Sequence, residues 1–195
     1  MSRAAFHRAD PDVRRLELIE AAARVLARSG ATGASVRAIC AEAGVSPGLL
    51  GHYFAGVDAL IAETYRHVGE KVAGVHGAAM LAAGDDPRAQ LRAYVTASFG
   101  PEIVDRALLS TWLAFWSLVI SDPAIAALHG DIYADYRRTI ESLVARCAPQ
   151  RDARIAAIAI GALVDGLWLE LSLDPSVFTP AEACAIVEDY LEKLI

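Results

Sequence analysis

Ser35-Val36-Arg37-Ala38-Ile39-Cys40-Ala41-Glu42-Ala43-Gly44-Val45-Ser46-Pro47-Gly48-Leu49-Leu50-Gly51-His52-Tyr53-Phe54 is the stretch whose reading decides the fold. Ser35 is a helix N-cap: its short hydroxyl side chain can accept from the unpaired N–H groups of a first turn. Val36, Ile39 and Cys40 then share an inner face. Gly44 supplies the left-handed residue that ends the helix, and Val45 is the apolar peg beyond the turn. Ser46 followed by Pro47 is a cap-then-first-position pair that opens a second short helix over 47–53. Two short helices meeting at a glycine turn imply a helix-turn-helix, the geometry that presents a second helix to a DNA major groove. Pro47 and Gly48 keep the front of that helix narrow. Phe54 reads as core. Cys40 reads as a small buried hydrophobe, since nothing basic in the sequence activates it as a thiolate.

Outward from this stretch nearly everything has helical periodicity. Residues 13–29 place Leu16, Ile19, Ala23 and Leu26 on one face, and Gly30 is the expected stop. A longer helix begins at Val57 and runs to about 83. Asp85-Asp86-Pro87 starts the next, to Phe99, and Pro101 is expected to start another, to Ile120. Asp122-Pro123 opens 123–147, and 151–173 is almost entirely apolar. Asp174-Pro175 breaks that helix. Thr179-Pro180-Ala181-Glu182 has the spacing of a capping box for a last helix to Leu194. No alternating strand pattern persists. The expected fold is all-α with about nine helices: a three-helix N-terminal domain over 10–56 and a C-terminal helical domain over 57–195.

Of 195 residues, 55% are hydrophobic and 22% charged, which excludes disorder and leaves an apolar surplus that self-association would enclose. The net charge of −6 is unevenly divided. Residues 1–56 hold seven arginines against five acids, a net of +2, leaving −8 for the rest. An acidic total therefore does not oppose a local DNA-binding face. Cys40, Cys147 and Cys184 are far apart and suit a reducing compartment. Arg3, Asp10, Asp12, Arg14 and Arg15 occupy the N-terminus without an apolar run, so no signal peptide is read. The apolar stretches 108–120 and 155–169 are short of the roughly 20 residues a span needs, so a cytoplasmic protein with no membrane partner is expected. No paired metal ligands, phosphate loop or Ser/His/Asp spacing stands out. His52 lies in the helix-turn-helix and His129 has no spaced partner. No catalytic residue, metal or cofactor is assigned. A helical enzyme and a plain helical interaction module are the readings from other classes, and the latter predicts no sequence-specific DNA affinity.

The first helix, then Ala43-Gly44-Val45-Ser46, a glycine, His52-Tyr53-Phe54 and Asp58-Ala59-Leu60 resemble the TetR family of transcriptional regulators over roughly 14–61. Thr111-Trp112-Leu113-Ala114-Phe115-Trp116 and Leu163-Val164-Asp165-Gly166-Leu167-Trp168-Leu169 are similar to its BetI-type branch, the choline-responsive repressors of glycine-betaine synthesis genes. The resemblance implies an all-helical homodimer that binds a palindromic DNA operator and releases it when a small effector enters the C-terminal domain. It implies that Ser46, Pro47, Gly48, Leu49 and Gly51 present the base-facing surface and that His52 and Tyr53 touch phosphates. Arg37 is a second phosphate candidate, and Arg14 or Arg15 is placed to approach the backbone or a neighbouring groove. Family members often carry a lysine where this chain has Val57, so one ionic contact per subunit is expected to be missing and the salt dependence shallower. Helix 47–53 holds no Arg, Asn or Gln, so bidentate base reading is unavailable from it and DNA shape must contribute.

Trp112 and Trp116 are four apart and share a face, with Phe115 beside them. Tyr133, Tyr136 and Trp168 with Asp165 could complete an aromatic cage holding a carboxylate, chemistry that suits a quaternary ammonium effector. Ordinary core packing is the other reading of these rings. Asp165 interrupts an apolar run, where an acid is costly unless paired. It neutralises a cation, caps a buried network, or lies at a dimer seam. A pocket without an inward carboxylate would instead favour an uncharged lipophilic effector, in a regulator of efflux or catabolic genes. Ile155, Ile158, Ala159, Ala162 and Leu169, with Ile186 and Tyr190 of the last helix, are the dimerisation candidates, forming a four-helix seam between two copies.

Overall fold

The computed structural model describes residues 11–195, so Asp10 and most of the segment read for a signal peptide lie outside the described residues. The described residues form nine α-helices: α1 (Pro11–Gly33), α2 (Val36–Ala43), α3 (Pro47–Tyr53), α4 (Val57–Ala82), α5 (Pro87–Thr96), α6 (Arg106–Val119), α7 (Pro123–Cys147), α8 (Ala153–Leu173) and α9 (Pro180–Leu194). A single 3₁₀ turn, Ala97–Phe99, follows α5.

Side-chain caps set most of the helix starts. Ser35 accepts from Ala38 N at 3.2 Å and Ser46 from Leu49 N at 3.3 Å. Asp86, Asp122 and Asp152 do the same for α5, α7 and α8. Thr179 and Glu182 close a reciprocal capping box on α9. Gly44 ends α2 at φ 65°, ψ 34°, the left-handed conformation that costs an L side chain energy. Gly30 has φ 64° and ψ −174°, so the regular part of α1 stops there and one further turn reaches Gly33.

Three expectations are corrected. Pro101 does not open α6. Residues 101–103 make a turn in which Val104 N bonds Gly100 O at 2.9 Å and Ile103 is fully buried, and Asp105 caps α6 by accepting from both Ala107 N and Leu108 N. On α1 the inner face is Leu18, Ala21, Ala22, Val25 and Leu26 with Ile19, while Leu16 is exposed. Helix α8 is 21 residues long and, by length and composition alone, apolar enough to cross a membrane. Its inner face is packed, with Ala156, Ala157, Ile160, Val164, Trp168 and Leu171 buried, while Ile155, Ile158 and Leu169 are exposed.

Helix α1 belongs to both ends of the molecule. It packs on α2 and also on α4 and, most extensively, on α6, so one continuous apolar core joins the helix-turn-helix to the C-terminal helices. Ion pairs reinforce the joints: Glu42 of α2 holds Arg24 at 2.7 Å and Arg28 at 3.0 Å, and Arg15 reaches Glu63 of α4 at 2.9 Å while lying 4.7 Å from the Phe54 ring centroid. Both arginines hold the Glu42 carboxyl below its ordinary pKa.

Candidate functional site

At the N-terminal end, α3 is exposed over Pro47, Gly48, Gly51 and His52 and anchored by buried Leu50. Leu49 and Tyr53 are half-buried, and His52 packs edge-on against Tyr53 with centroids 5.1 Å apart. A Cβ at Gly51 would meet nothing within 4 Å, and one at Gly48 only Ser46 Oγ at 3.9 Å. Neither glycine has a positive φ. Nothing inside the molecule therefore demands a glycine at either place, although each weakens a helix. The cations are mostly committed: Arg14 pairs with Glu17 at 2.6 Å, Arg15 with Glu63, and Arg24 and Arg28 with Glu42. Arg37 is exposed and makes no ion pair among the described residues.

The C-terminal helices enclose a cavity of about 550 Å³ between α4, α5, α6, α7 and α8, within the usual range for a small-molecule site. Trp112, Tyr133, Asp165 and Trp168 all line it. The Trp112 and Trp168 rings meet at 83° with centroids 5.7 Å apart, forming a corner. Trp112 Nε1 and Trp116 Nε1 donate to Tyr133 Oη at 3.3 and 3.2 Å, and Tyr133 donates to Asp165 Oδ1 at 3.1 Å. Indole nitrogens only donate, so the Tyr133 proton is left for the carboxylate. Three helices thus meet at one phenol oxygen. Burial pushes the Asp165 carboxyl up to about 6, against the opposing pull of the Tyr133 hydrogen bond and the Arg137 charge. A value near 6 leaves the ionised form in the majority at neutral pH. Burial and the Asp165 charge hold Tyr133 protonated.

Two predicted cage residues are placed elsewhere. Phe115 is fully buried and stacks on Tyr65 at 4.2 Å, so it is core. Trp116 supports Tyr133 from behind without entering the wall. Asp165 lines the cavity and, of its three readings, takes part in the buried network through Tyr133. Residues missed from the sequence include His76, Tyr94 and Ser98, with Arg66, Glu70, Asp131 and Asp135, all of which line the same cavity. The signal on α4 was present: Gly69, Val72, Ala73, His76, Gly77 and Met80 recur at helical spacing as small or apolar residues interrupted by one histidine. Burial pushes that imidazole down to about 4, so it is neutral. His129 does have a partner, Tyr65 Oη at 2.8 Å, supplied by α4.

On the outer face of α8, Ile155, Ile158, Ala162 and Leu169 are exposed, as is Ile186 of α9, while Ala159 and Tyr190 are half-buried.

Residues 87–195 match the model of the BetI-type transcriptional repressor C-terminal domain, and residues 18–64 match the tetR family of bacterial regulatory proteins. The HTH-type transcriptional regulator BetI of Burkholderia thailandensis is 34% identical over 187 residues, covering 94% of each chain. The chain belongs to the BetI-type branch of the TetR family. This TetR-family regulator is a ligand-responsive, DNA-binding repressor that acts in the cytoplasm, by binding rather than catalysis. The all-α fold is shared with a candidate transcriptional regulator from Pseudomonas aeruginosa PAO1, at TM-score 0.89 and 42% identity, covering 98% of this chain and 94% of that one. A transcriptional regulator from Saccharomonospora viridis, solved in complex with choline, superposes at TM-score 0.83 with 24% identity, covering 93% of this chain and 96% of that one.

Proposed function

We infer that this repressor binds its operator as a homodimer through α3 of each copy and releases it when a choline-like quaternary ammonium enters the cavity. The observation that carries the effector is the Asp165 carboxyl group in a wall built from Trp112, Tyr133 and Trp168. A quaternary ammonium has no N–H to offer, so ring faces and an unpaired negative charge are what recognise it. An uncharged lipophile would leave that half-buried charge with the Tyr133 hydrogen bond as its close partner and bring no countercharge. The choline complex of the Saccharomonospora viridis protein and the BetI relatives point the same way.

The operator interface follows from the exposed α3 surface. Gly48 and Gly51 clear the approach to base edges, Ser46, Pro47 and Leu49 flank it, and His52, Tyr53 and Arg37 reach phosphates. Arg14 contributes at the edge. Arg15 has a packing role, since its guanidinium is held by Glu63 and Phe54. The apolar outer face of α8, with Ile186 and Tyr190 of α9, buries against a second copy, and the domain boundary lies near 57, where α4 begins. Effector binding shifts the dimer toward a spacing that no longer fits two half-sites.

The test is choline titration of operator-bound protein. Choline is expected to release the operator and raise the melting temperature. Asp165→Asn is expected to weaken choline at least about tenfold, or ~1.4 kcal/mol, with operator binding retained. A variant that still responds at wild-type choline concentrations refutes the role of the carboxylate.

A further inference from the structure

Thr111 and Trp112 are neighbours on α6 with different partners. Trp112 lines the cavity, and its Nε1 and that of Trp116 donate to Tyr133 Oη at 3.3 and 3.2 Å. Thr111 is buried and does not line the cavity. Its Oγ1 reaches the Ala23 carbonyl of α1 at 3.3 Å and the Ala107 carbonyl of its own helix at 2.8 Å. Ala23 precedes Arg24, whose guanidinium holds Glu42 of α2 at 2.7 Å, two residues before the Gly44 turn into α3. Hydrogen bonds and adjacent residues therefore run unbroken from Asp165 through Tyr133 and Trp112, then Thr111 and Ala23, to Arg24 and the helix-turn-helix.

A threonine hydroxyl has one proton, so the two carbonyls compete for it. The Ala107 carbonyl lies four residues back on the same helix and stays in reach whatever α1 does. Thr111 can leave α1 without becoming an unsatisfied buried donor, and the separation costs little. Such a contact has two arrangements close in free energy, which is what coupling between two sites requires. The bond to α1 is also the longer of the two. A relative shift of about 0.3 Å between α6 and α1 takes it past hydrogen-bonding range. Both α6 indoles bond the one phenol oxygen, so a displacement of Tyr133 is a displacement of α6.

We propose that Thr111 is a positioning residue that couples the cavity to the DNA-binding end. In the empty protein its hydroxyl ties α6 to α1 and favours the arrangement that fits the operator. A cation at Asp165 moves Tyr133 and α6 with it, and the hydroxyl withdraws to Ala107. This rests on the cation lying at Asp165 and on α3 meeting the operator. The consequence runs against intuition. Removing a contact made only in the operator-fitting arrangement leaves the effector less to overcome, so a substitution outside the cavity tightens effector binding.

The experiment is isothermal titration of the full chain with choline, together with release of an operator duplex by choline followed by fluorescence anisotropy. Thr111→Val keeps the shape of the side chain and drops the hydroxyl. It is expected to bind choline about fivefold more tightly than wild type and to release the operator at correspondingly lower choline. Thr111→Ala removes the same hydroxyl from a good helix former and should show the same gain, which keeps the test open if the valine protein does not fold. Thr111→Ser retains the hydroxyl and should stay within about twofold of wild type. A residue that only packs would leave choline affinity unchanged or lower it, and either result in the variants lacking the hydroxyl overturns the proposal. So does a serine protein that gains affinity as they do. In those cases wild type still releases its operator with choline, and the cation reading stands. If wild type does not bind choline, the cation reading falls and the proposal with it.

Discussion

On the proposed function, the α3 surface and the cavity wall would recognise by opposite means. Helix α3 offers very little: two glycines with open space above them, a proline, and one histidine and one tyrosine at its end. The cavity is dense with polar atoms, and three helices share the Tyr133 hydroxyl. On α3 the partner brings the functional groups, and the protein supplies clearance. In the cavity the protein supplies the groups and the partner fills the space. The same division appears in the charges. Four of the arginines near the N-terminus are tied to Glu17, Glu63 or Glu42, which leaves Arg37 as the exposed arginine without an ion pair among the described residues of that region. Few phosphates are then neutralised, and operator binding should depend on salt less steeply than in a lysine-rich relative.

The largest effect tests whether the two regions can be separated at all. Ile158→Glu puts a charge on the exposed face of α8, away from the cavity. It should split the dimer and weaken operator binding by about 100-fold or more, since one half-site per molecule loses the second binding event. Choline binding by each copy should persist. Sedimentation, DNA binding and titration on one sample check all three, and a dimer that survives breaks the assignment of this face. Smaller is Gly51→Ala. Replacing a helical glycine should stabilise the free protein by roughly 0.5–1 kcal/mol, while the added methyl lowers operator affinity about tenfold, or ~1.4 kcal/mol. Stability and affinity moving in the same direction would mean that α3 is not limited by clearance.

The smallest effect separates the regions by pH. Asp165 titrates near 6 when folded, above its ordinary value. The sign follows: its contribution to stability is full at pH below the unfolded value and is lost as pH rises through about 6. The free protein should therefore gain stability from this group as pH falls from 7.5 to 5. Choline needs the carboxylate, so its affinity should fall over the same range by about tenfold. Asp165→Asn should flatten both curves, and a wild-type choline affinity that does not change with pH breaks the link.

What was legible in the sequence follows the range of the interactions. The α2–α3 unit was readable almost residue by residue, because Ser35, Gly44, Ser46 and Pro47 act within three or four positions of themselves. Pro101 misled because a proline at a helix start and a proline in a turn look alike locally. The buried Ile103 and the doubly accepting Asp105 decided between them. Asp165, Trp112 and Trp168 were identifiable as rings and a charge in apolar helices. Which rings face inward was not, since Phe115 is claimed by Tyr65 fifty residues earlier in the chain. The His76–Ser98–Tyr136 cluster joins α4, the 3₁₀ turn and α7, and only packing brings it together.

Helix α4 has 26 residues, which makes it a rod about 39 Å long. It starts at Gly56, a glycine joint at φ 155° with no side-chain cap, and its middle forms one wall of the cavity. At Gly69 it runs so close to α7 that a Cβ would come within 2.9 Å of Ile132 Cδ1. With that tight crossing as a fulcrum, the arm to Val57 is 12 residues, roughly 18 Å. A tilt of about 10° at the crossing then sweeps the far end through about 3 Å. Two copies turning in opposite senses would double that displacement. A shift that is small beside a ring face is large beside a row of phosphates, and mechanical advantage of this kind would let a ligand of a few heavy atoms act on a repeat one DNA turn long.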